Sequence, residues 1–412
     1  MEPSPAITQT KVCILGAGPH GLAAAVYLRR ADPSLQPVVV DPTGGWLTGW
    51  HQQFARAEIE TLRSPIVHHP SPEPADLSRF MIAGDFDRSG LPFDPPTTVA
   101  FTAFCQELIT ATGLADPLAA SAESVVCDPD GVRVETDRGS IEAEHLVVAT
   151  NPHRRSIPDW VWPLLGRQPG LFVYGTDVDL RQMPDLTGER VLIIGGGLTA
   201  AHLALGATAR GATVDLLTRR PLQTRNFDTE PGWLGPRHLR AFSQDTDPAS
   251  RHETVIAARG GGSVPPWMRE RLDACVEQGS VVLHEGSGVR AADVDQEGRC
   301  VLALDRHAGL TVDRVWLATG TVADIRALRC LGPLIDDVPA LDGIPIVDDQ
   351  LRLCSWPIHV MGRLAMLTLG PAAGNLWGAQ RAAARIAEAI TGRGLEETIV
   401  VPPPPAQASL RA

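Results

Sequence analysis

A chain of 412 residues, 44% hydrophobic and 20% charged, has the length and make-up of two or three globular domains of roughly 150 residues each. No apolar run approaches the roughly 20 residues that cross a bilayer. A formal charge of −12, from 36 basic and 48 acidic residues, works against general attraction to nucleic acid or anionic lipid. The first residues carry Glu2, Pro3 and Pro5 where a secretory leader would be basic and then apolar, so a cytoplasmic protein is expected, with neither membrane nor nucleic acid as partner.

The first predicted unit is strand, turn, helix, strand. Val12-Cys13-Ile14-Leu15 is a short apolar run, and Gly16-Ala17-Gly18-Pro19-His20-Gly21 follows as GxGxxG before an alanine-rich helix from Leu22 to Arg30. The glycines serve different purposes, with a tight turn at Gly16, close approach of backbone to a diphosphate at Gly18, and helix-to-strand packing at Gly21. The helix N-terminus then presents free N–H groups and partial positive charge to the phosphates. The next strand, Val38-Val39-Val40, ends in Asp41, 20 residues past the last glycine, where an acid can bond ribose hydroxyls. The dinucleotide expected here is FAD.

Trp46, Trp50 and His51 follow that strand, where a loop could cover the cofactor, and Arg63 comes soon after. His51 and Arg63 are candidate catalytic residues. The alternatives for them are a structural histidine and a surface ion pair.

The same unit recurs. Arg190 to Ile194 leads into Gly195-Gly196-Gly197-Leu198-Thr199-Ala200, a GxGxxA turn, then an alanine-rich helix and a strand from Thr213 to Leu217. Here Gly195, Gly197, Thr199 and Ala200 take the turn positions. The acid is replaced by Thr218-Arg219-Arg220, and two guanidinium groups without a carboxylate suit the 2′-phosphate of NADPH.

From 221 to 267 the chain is rich in Pro and Gly, which argues against another βα unit. Such an insertion is expected to be a loop lining the substrate entrance. Leu146 to Pro152 and Val315 to Gly320 both read as short strands ending in an Ala-Thr turn. His359-Val360-Met361-Gly362 reads as a strand, Leu369 to Leu376 as a loop containing Gly370, Asn375 and Leu376, and Gly378 to Thr391 as a last helix.

The seven cysteines include no CxxC pair, so an internal dithiol relay is not expected, and the thiols read as reduced and mostly buried. Metal sites are not expected either. His252-Glu253 begins like HExxH, but Ile256 stands at the second histidine, and His68-His69 sits among prolines.

Over roughly three quarters of its length, the chain resembles flavoproteins with two dinucleotide-binding domains. Within them it is most similar to the NADPH-dependent monooxygenases of the ornithine/lysine N-hydroxylase group. Four stretches carry the resemblance: GAGPHGLAAA, GWLTGWHQQF with IETLRSP, GGGLTAAHLA, and LATGT with GPAAGN. It implies an α/β fold in which a Rossmann-like NADPH domain is inserted into a Rossmann-like FAD domain. The expected segments are 1–155 (FAD, first part), 170–318 (NADPH, with the loop insertion 221–267), 319–395 (FAD, second part) and 396–412 (a Pro-rich tail).

The two Ala-Thr strands would be the crossings between domains, and the loop from Gly362 to Leu376 would meet the flavin. The last helix would direct its N-terminal dipole at the flavin's pyrimidine edge.

The implied chemistry is hydride transfer from NADPH to flavin, then O2 activation as a C4a-hydroperoxide that oxygenates a small nucleophile such as an amine. The chain departs from the N-hydroxylases in having Glu60 where they carry a glutamine and no clear equivalent of the lysine they offer to the substrate carboxylate, and it has Arg363 after Gly362 where many related reductases have aspartate. The FxGxxxHxxx(W/P) run of other flavin monooxygenases is not matched by Phe172-Val173-Tyr174-Gly175. Two alternatives stay open: an NADPH-dependent reductase serving a separate acceptor, and a non-catalytic flavin or nucleotide sensor. Substrate and oligomeric state are not specified by the sequence.

Overall fold

A computed structural model describes residues 7–128 and 131–394. The expected Pro-rich tail, 396–412, lies outside the described residues.

The first sheet is built on β1 (Ile7–Leu15), with β2 (Val38–Asp41) and then β3 (Leu118–Ala119) parallel on one side. On the other side β6 (Gly139–Val148) runs parallel to β1. β6 is shared: its first half pairs antiparallel with β5 (Gly131–Thr136), itself paired with β4 (Ala122–Asp128), and its last residues pair parallel with β19 (Ile358–Val360). Helix α1 (Pro19–Ala31) and the last helix, α10 (Leu376–Thr391), pack together against this sheet. That cover explains the sequence pattern. Val12 to Leu15 and Leu146 to Val148 are unbroken apolar runs because both faces of these strands are buried.

The second sheet is parallel throughout, in the order β11 (Val281–Glu285), β10 (Thr213–Thr218), β9 (Arg190–Ile194), β15 (Arg314–Leu317), β8 (Phe172–Tyr174). Helix α5 (Leu198–Thr208) packs on it. A three-stranded antiparallel sheet, β12 (Val289–Val294), β13 (Cys300–Leu304) and β14 (Leu310–Val312), shares a core with its other face.

The two sheets are joined by the segments after β6 and after β15. There β7 (His153–Arg155) pairs antiparallel with β16 (Thr321–Ala323), so the outgoing and returning chain form one two-stranded ribbon. A short hairpin, β17 (Ala340–Leu341) and β18 (Ile344–Pro345), follows.

Beside the first sheet, α2 (Thr48–Arg56), α3 (Asp76–Ala83) and α4 (Thr98–Thr112) enclose a small apolar core of their own with the outer face of α1.

The segment 221–267 is not the turn-rich loop that the composition predicts. It contains α6 (Pro236–Gln244) and α7 (Pro248–Arg259), and α8 (Pro266–Glu277) starts at its end. The prolines open helices here, each at the first helical position, where a missing N–H costs nothing. Asp247 caps α7 by accepting from the Ala249 and Ser250 N–H groups at 3.0 and 3.4 Å, and Gly260, at φ +58°, ends it. A short helix, α9 (Met366–Leu369), precedes the loop to α10.

Among the described residues, no helix is long and apolar enough to cross a membrane, and no cluster of His, Cys, Asp and Glu could hold a metal ion. His69 is buried against Phe104 with Nε2 at 3.3 Å from the Pro74 carbonyl, and His252 faces Asp342. The cysteines are free, and burial pushes the Cys13 thiol up to about 12.

Candidate functional site: two glycine turns and the cleft between them

At the first turn, Gly16 adopts φ +100° and donates to the Val40 carbonyl at 2.8 Å, locking the turn to β2. A Cβ on Gly21 would overlap the Gly16 carbonyl oxygen, so the helix approaches its own strand at a distance only glycine allows. Around Gly18 the space is open, and Gly18 caps α1 with no side-chain acceptor, leaving the first N–H groups of the helix free to meet a ligand.

Asp41 stands at the end of β2 beside them. One carboxylate oxygen accepts from the Ala17 N–H at 3.0 Å; the other accepts from the Thr43 N–H and hydroxyl at 2.9 and 2.6 Å. Leu47, left-handed at φ +59°, donates to the Ala17 carbonyl at 2.8 Å and so brings the start of α2 to the same turn.

The C-terminal segment completes this site. Gly362, at φ +66°, lies beside His20, whose ring nitrogen is 3.3 Å from the Ala373 carbonyl. Asn375 caps α10 through its side chain, accepting from the Gly378 N–H at 3.1 Å, and Leu376 is buried at the first position of the helix. Gly370 (φ +88°) lets Leu239 and Trp233 of the 221–267 segment close on this loop. Buried without a hydrogen-bond partner here are the Thr150 hydroxyl, beside Gly16, and Nη2 of Arg363.

The second turn repeats the geometry. Gly195 sits at φ +145°, and a Cβ on it would overlap the Ala318 carbonyl oxygen. Gly197 caps α5 with no side-chain acceptor, Thr199 is exposed in the first helical turn, and Ala200 is buried at the packing position. Arg219 and Arg220 are exposed at the end of β10 and form no ion pair among the described residues. Glu285, at the end of the neighbouring β11, is engaged with the Leu222 N–H at 2.7 Å.

Over this turn lies a loop that sequence reasoning assigned no role there. Gly262 packs on Gly197, and the Arg220 guanidinium lies on Gly261, where a Cβ would overlap it.

Arg63 is placed where it holds that loop. It donates five hydrogen bonds: to the carbonyls of Asn226 (3.0 Å), Arg225 (2.7 Å) and Ser263 (3.1 Å), to Asp228 Oδ1 (2.7 Å) and to the Ser263 hydroxyl (2.9 Å). A guanidinium has five N–H groups, so none is left over. Arg63 therefore clamps the 221–267 segment to the first domain.

His51 is half-buried on α2 with Nε2 at 3.1 Å from the Thr102 hydroxyl, and burial holds it below its ordinary pKa. Trp50 stacks on Phe54 at 3.9 Å, while Trp46 turns away and donates its indole N–H to the Ala115 carbonyl at 3.0 Å. The structure thus groups His51 with Trp50 beside α4, with Trp46 packed on the same apolar core, while Arg63 is turned to the 221–267 segment.

A cavity of ≈510 Å³ opens in the 221–267 segment, lined by Arg225, Phe227, Thr229, Trp233 and Ala257 among others. Thr229 is buried there with its hydroxyl unpartnered, and Phe227 leans on Phe93 at 4.9 Å.

Two sheets with parallel strands at their centres, each with a glycine turn opening a helix without a side-chain cap, define an oxidoreductase with two nucleotide-binding folds. Residues 10–232 match the family model for pyridine nucleotide-disulphide oxidoreductases, and the chain belongs to that family. No curated protein matches it.

Among solved structures it is similar to the FAD-bound cadaverine monooxygenase of desferrioxamine biosynthesis from Erwinia amylovora. The TM-score is 0.74 at 18% identity, over 98% of this chain and 100% of that one. The ornithine N-hydroxylase of Kutzneria sp. 744, in a structure with reduced FAD, NADP+ and L-ornithine, gives a TM-score of 0.75 at 16% identity, covering 93% of this chain and 99% of that one. A bacillithiol disulfide reductase from Bacillus cereus gives 0.60 at 20% identity, with coverage of 93% and 99%.

Proposed function

We propose that this protein is an FAD-dependent, NADPH-using monooxygenase acting on a small nucleophile such as an amine. One observation carries the reading: the two turns differ at the strand end, Asp41 at one and Arg219-Arg220 at the other. A carboxylate suits free ribose hydroxyls, and paired guanidinium groups suit a phosphorylated ribose. Higher TM-scores to amine N-hydroxylases than to the disulfide reductase, and a sequence without CxxC, support oxygenation over dithiol chemistry.

FAD would be held by Gly16, Gly18, Gly21 and Asp41, with the loop from Gly362 to Leu376. The unpartnered Thr150 hydroxyl and Arg363 Nη2 are donors waiting for acceptors, which fits a phosphorylated, polyhydroxylated ligand. NADPH would be held by Gly195, Gly197, Thr199 and Ala200, with Arg219 and Arg220 on the 2′-phosphate. Bound there, the two cofactors supply hydride transfer and the activation of O2.

The chain's own work is placement and exclusion of water. Arg63 fixes the 221–267 segment, whose cavity would take the substrate. His51, kept neutral by burial, would orient groups beside α2, with Trp50 covering its neighbours. The loop before α10 would present the flavin's edge to that cavity through Gly370. Domain limits of 1–155 with 319–395, and 170–318, accord with this division of labour.

The test is anaerobic addition of NADPH to the yellow protein, then air, with and without candidate amines. Bleaching followed by oxygen uptake that yields an oxygenated amine supports the reading. Bleaching with re-oxidation and no oxygenated product would establish instead a reductase for a separate acceptor, and nucleotide binding without bleaching a sensor.

A further inference from the structure

The cavity in the 221–267 segment has walls and charges that separate one kind of amine from another. At ≈510 Å³ it falls in the range of small-molecule sites, about 300–1,000 Å³. Two aromatic rings line it. Phe227 leans on Phe93 at 4.9 Å and Trp233 meets Phe242 edge to face at 5.7 Å, so both rings are held by other aromatics. Ala257, on α7, keeps the wall small there. The Thr229 hydroxyl, in a residue 2% exposed, bonds to nothing.

The charges around this space are unbalanced. Among the described residues, Glu230 is the one carboxylate that lines the cavity, and it is turned outward: its side chain is 56% exposed, 3.2 Å from His238 Nε2 and 3.8 Å from Arg237 Nη1. Arg225 lines the cavity too, donating to Gln223 Oε1 and to the Arg259 carbonyl at 3.4 Å. Burial, and then Arg225 and Arg259, hold Arg63 below its ordinary pKa against the pull of Asp228. Asp228 is itself engaged by Arg63 at 2.7 Å.

An alkylamine, with a pKa like that of lysine, about 10.4, enters such a space as an ammonium ion and meets guanidinium groups without a free counter-ion. Desolvation and like charge both favour the neutral form. An arylamine is already neutral at neutral pH, because its lone pair is delocalised into its ring. Its faces suit Phe227 and Trp233, and its N–H groups can be accepted by Thr229 Oγ1.

We propose that this cavity takes a weakly basic aromatic amine in its neutral form and discriminates against aliphatic diamines and diamino acids. For the reaction, the inference rests on the monooxygenase reading above; for binding, it rests on the cavity alone. Arylamine, O2, NADPH and one proton give the arylhydroxylamine, water and NADP+, so that one N–H becomes N–OH and NADPH supplies the two electrons.

The experiment is calorimetric titration of the purified holoprotein, without NADPH and near neutral pH, with aniline, cyclohexylamine, cadaverine and L-ornithine. Cyclohexylamine has almost the size of aniline but is protonated, so it isolates charge from shape. Aniline is expected to bind at least about tenfold more tightly than the other three. Thr229→Val keeps the shape of the side chain and should weaken aniline roughly two- to tenfold. Ala257→Leu, at an exposed helical position that tolerates leucine, narrows the cavity and should weaken it further. Any of the three basic amines binding more tightly than aniline overturns the proposal, as does an absence of aniline binding or an aniline affinity that both variants leave unchanged. Aniline bound as expected but not oxygenated when NADPH and air are added supports the binding proposal and overturns the monooxygenase reading instead.

Discussion

Gly262 lies directly against Gly197: a Cβ on Gly262 would stand 2.7 Å from the Gly197 Cα and 2.8 Å from its nitrogen. The chain's own backbone thus covers the glycine that a diphosphate would approach, and Arg63 pins the cover one residue further on, at Ser263. If the loop guards the NADPH turn, only the lifted fraction of molecules can bind. Gly262→Ala cannot keep the contact, since backbone does not yield as a flexible side chain does. Stopped-flow NADPH association should be several-fold faster in this variant; an unchanged or slower rate would show that the loop is no cover.

The two turns should fail independently. Gly21→Ala sets a methyl on the Gly16 carbonyl and should abolish FAD retention. Gly195→Ala meets the Ala318 carbonyl from a left-handed backbone, a strain of about 1–3 kcal/mol or more. It should leave a yellow protein of lower melting temperature that NADPH no longer bleaches. Absorption spectra of both, before and after NADPH, separate the two sites.

Arg219 and Arg220 carry the nucleotide preference. A charge-assisted hydrogen bond is worth about 1.5–3 kcal/mol, so replacing either by alanine should weaken NADPH relative to NADH by roughly 10–150-fold. Steady-state kcat/KM for both nucleotides gives the ratio directly, and an unchanged ratio would place the 2′-phosphate elsewhere.

Arg63→Met would strand three carbonyls, the Ser263 hydroxyl and Asp228 at once. FAD should be retained, while the segment 221–267 becomes cleavable under limited proteolysis and the substrate KM rises more than kcat falls. A drop in kcat alone would restore Arg63 to a direct part in the chemistry.

Acid should unfold this protein through its histidines. Burial pulls His69, His202 and His359 each down from 6.5 to about 4. Between those values the unfolded chain holds protons that the folded chain refuses. Their contribution is therefore whole above pH 6.5 and is lost as pH falls toward 4, at up to about 1.4 kcal/mol per pH unit for each. Melting temperature against pH should drop steeply in that window. His69→Phe should make the slope shallower, and a slope it leaves unchanged would remove His69 from the account.

Both glycine turns, the strands that feed them and the difference between Asp41 and Arg219-Arg220 were readable because each is a local pattern whose period and spacing carry the geometry. The helices α6 and α7 were not, since Pro236 and Pro248 read as breakers until one sees them at first helical positions. Arg63 illustrates a harder limit. Its five partners lie 162 to 200 residues away in sequence, and no local pattern announces a contact made by folding. The contact of Gly262 with Gly197 is of the same kind, although three successive glycines ahead of a helix were a signal that backbone must come close to something. Arg363 stood out only as a departure, and its meaning came from the unpaired Nη2 that the fold buries.

The ribbon of β7 and β16 constrains how the nucleotide modules can move. Had the outgoing and returning strands been separate tethers, each could swing on its own. Hydrogen-bonded side by side, they are joined as one leaf, so a rocking of one module against the other has to bend or twist both strands together. Arg363, fastened at Asn151 and Thr321 on either side of its root, would feel every such twist.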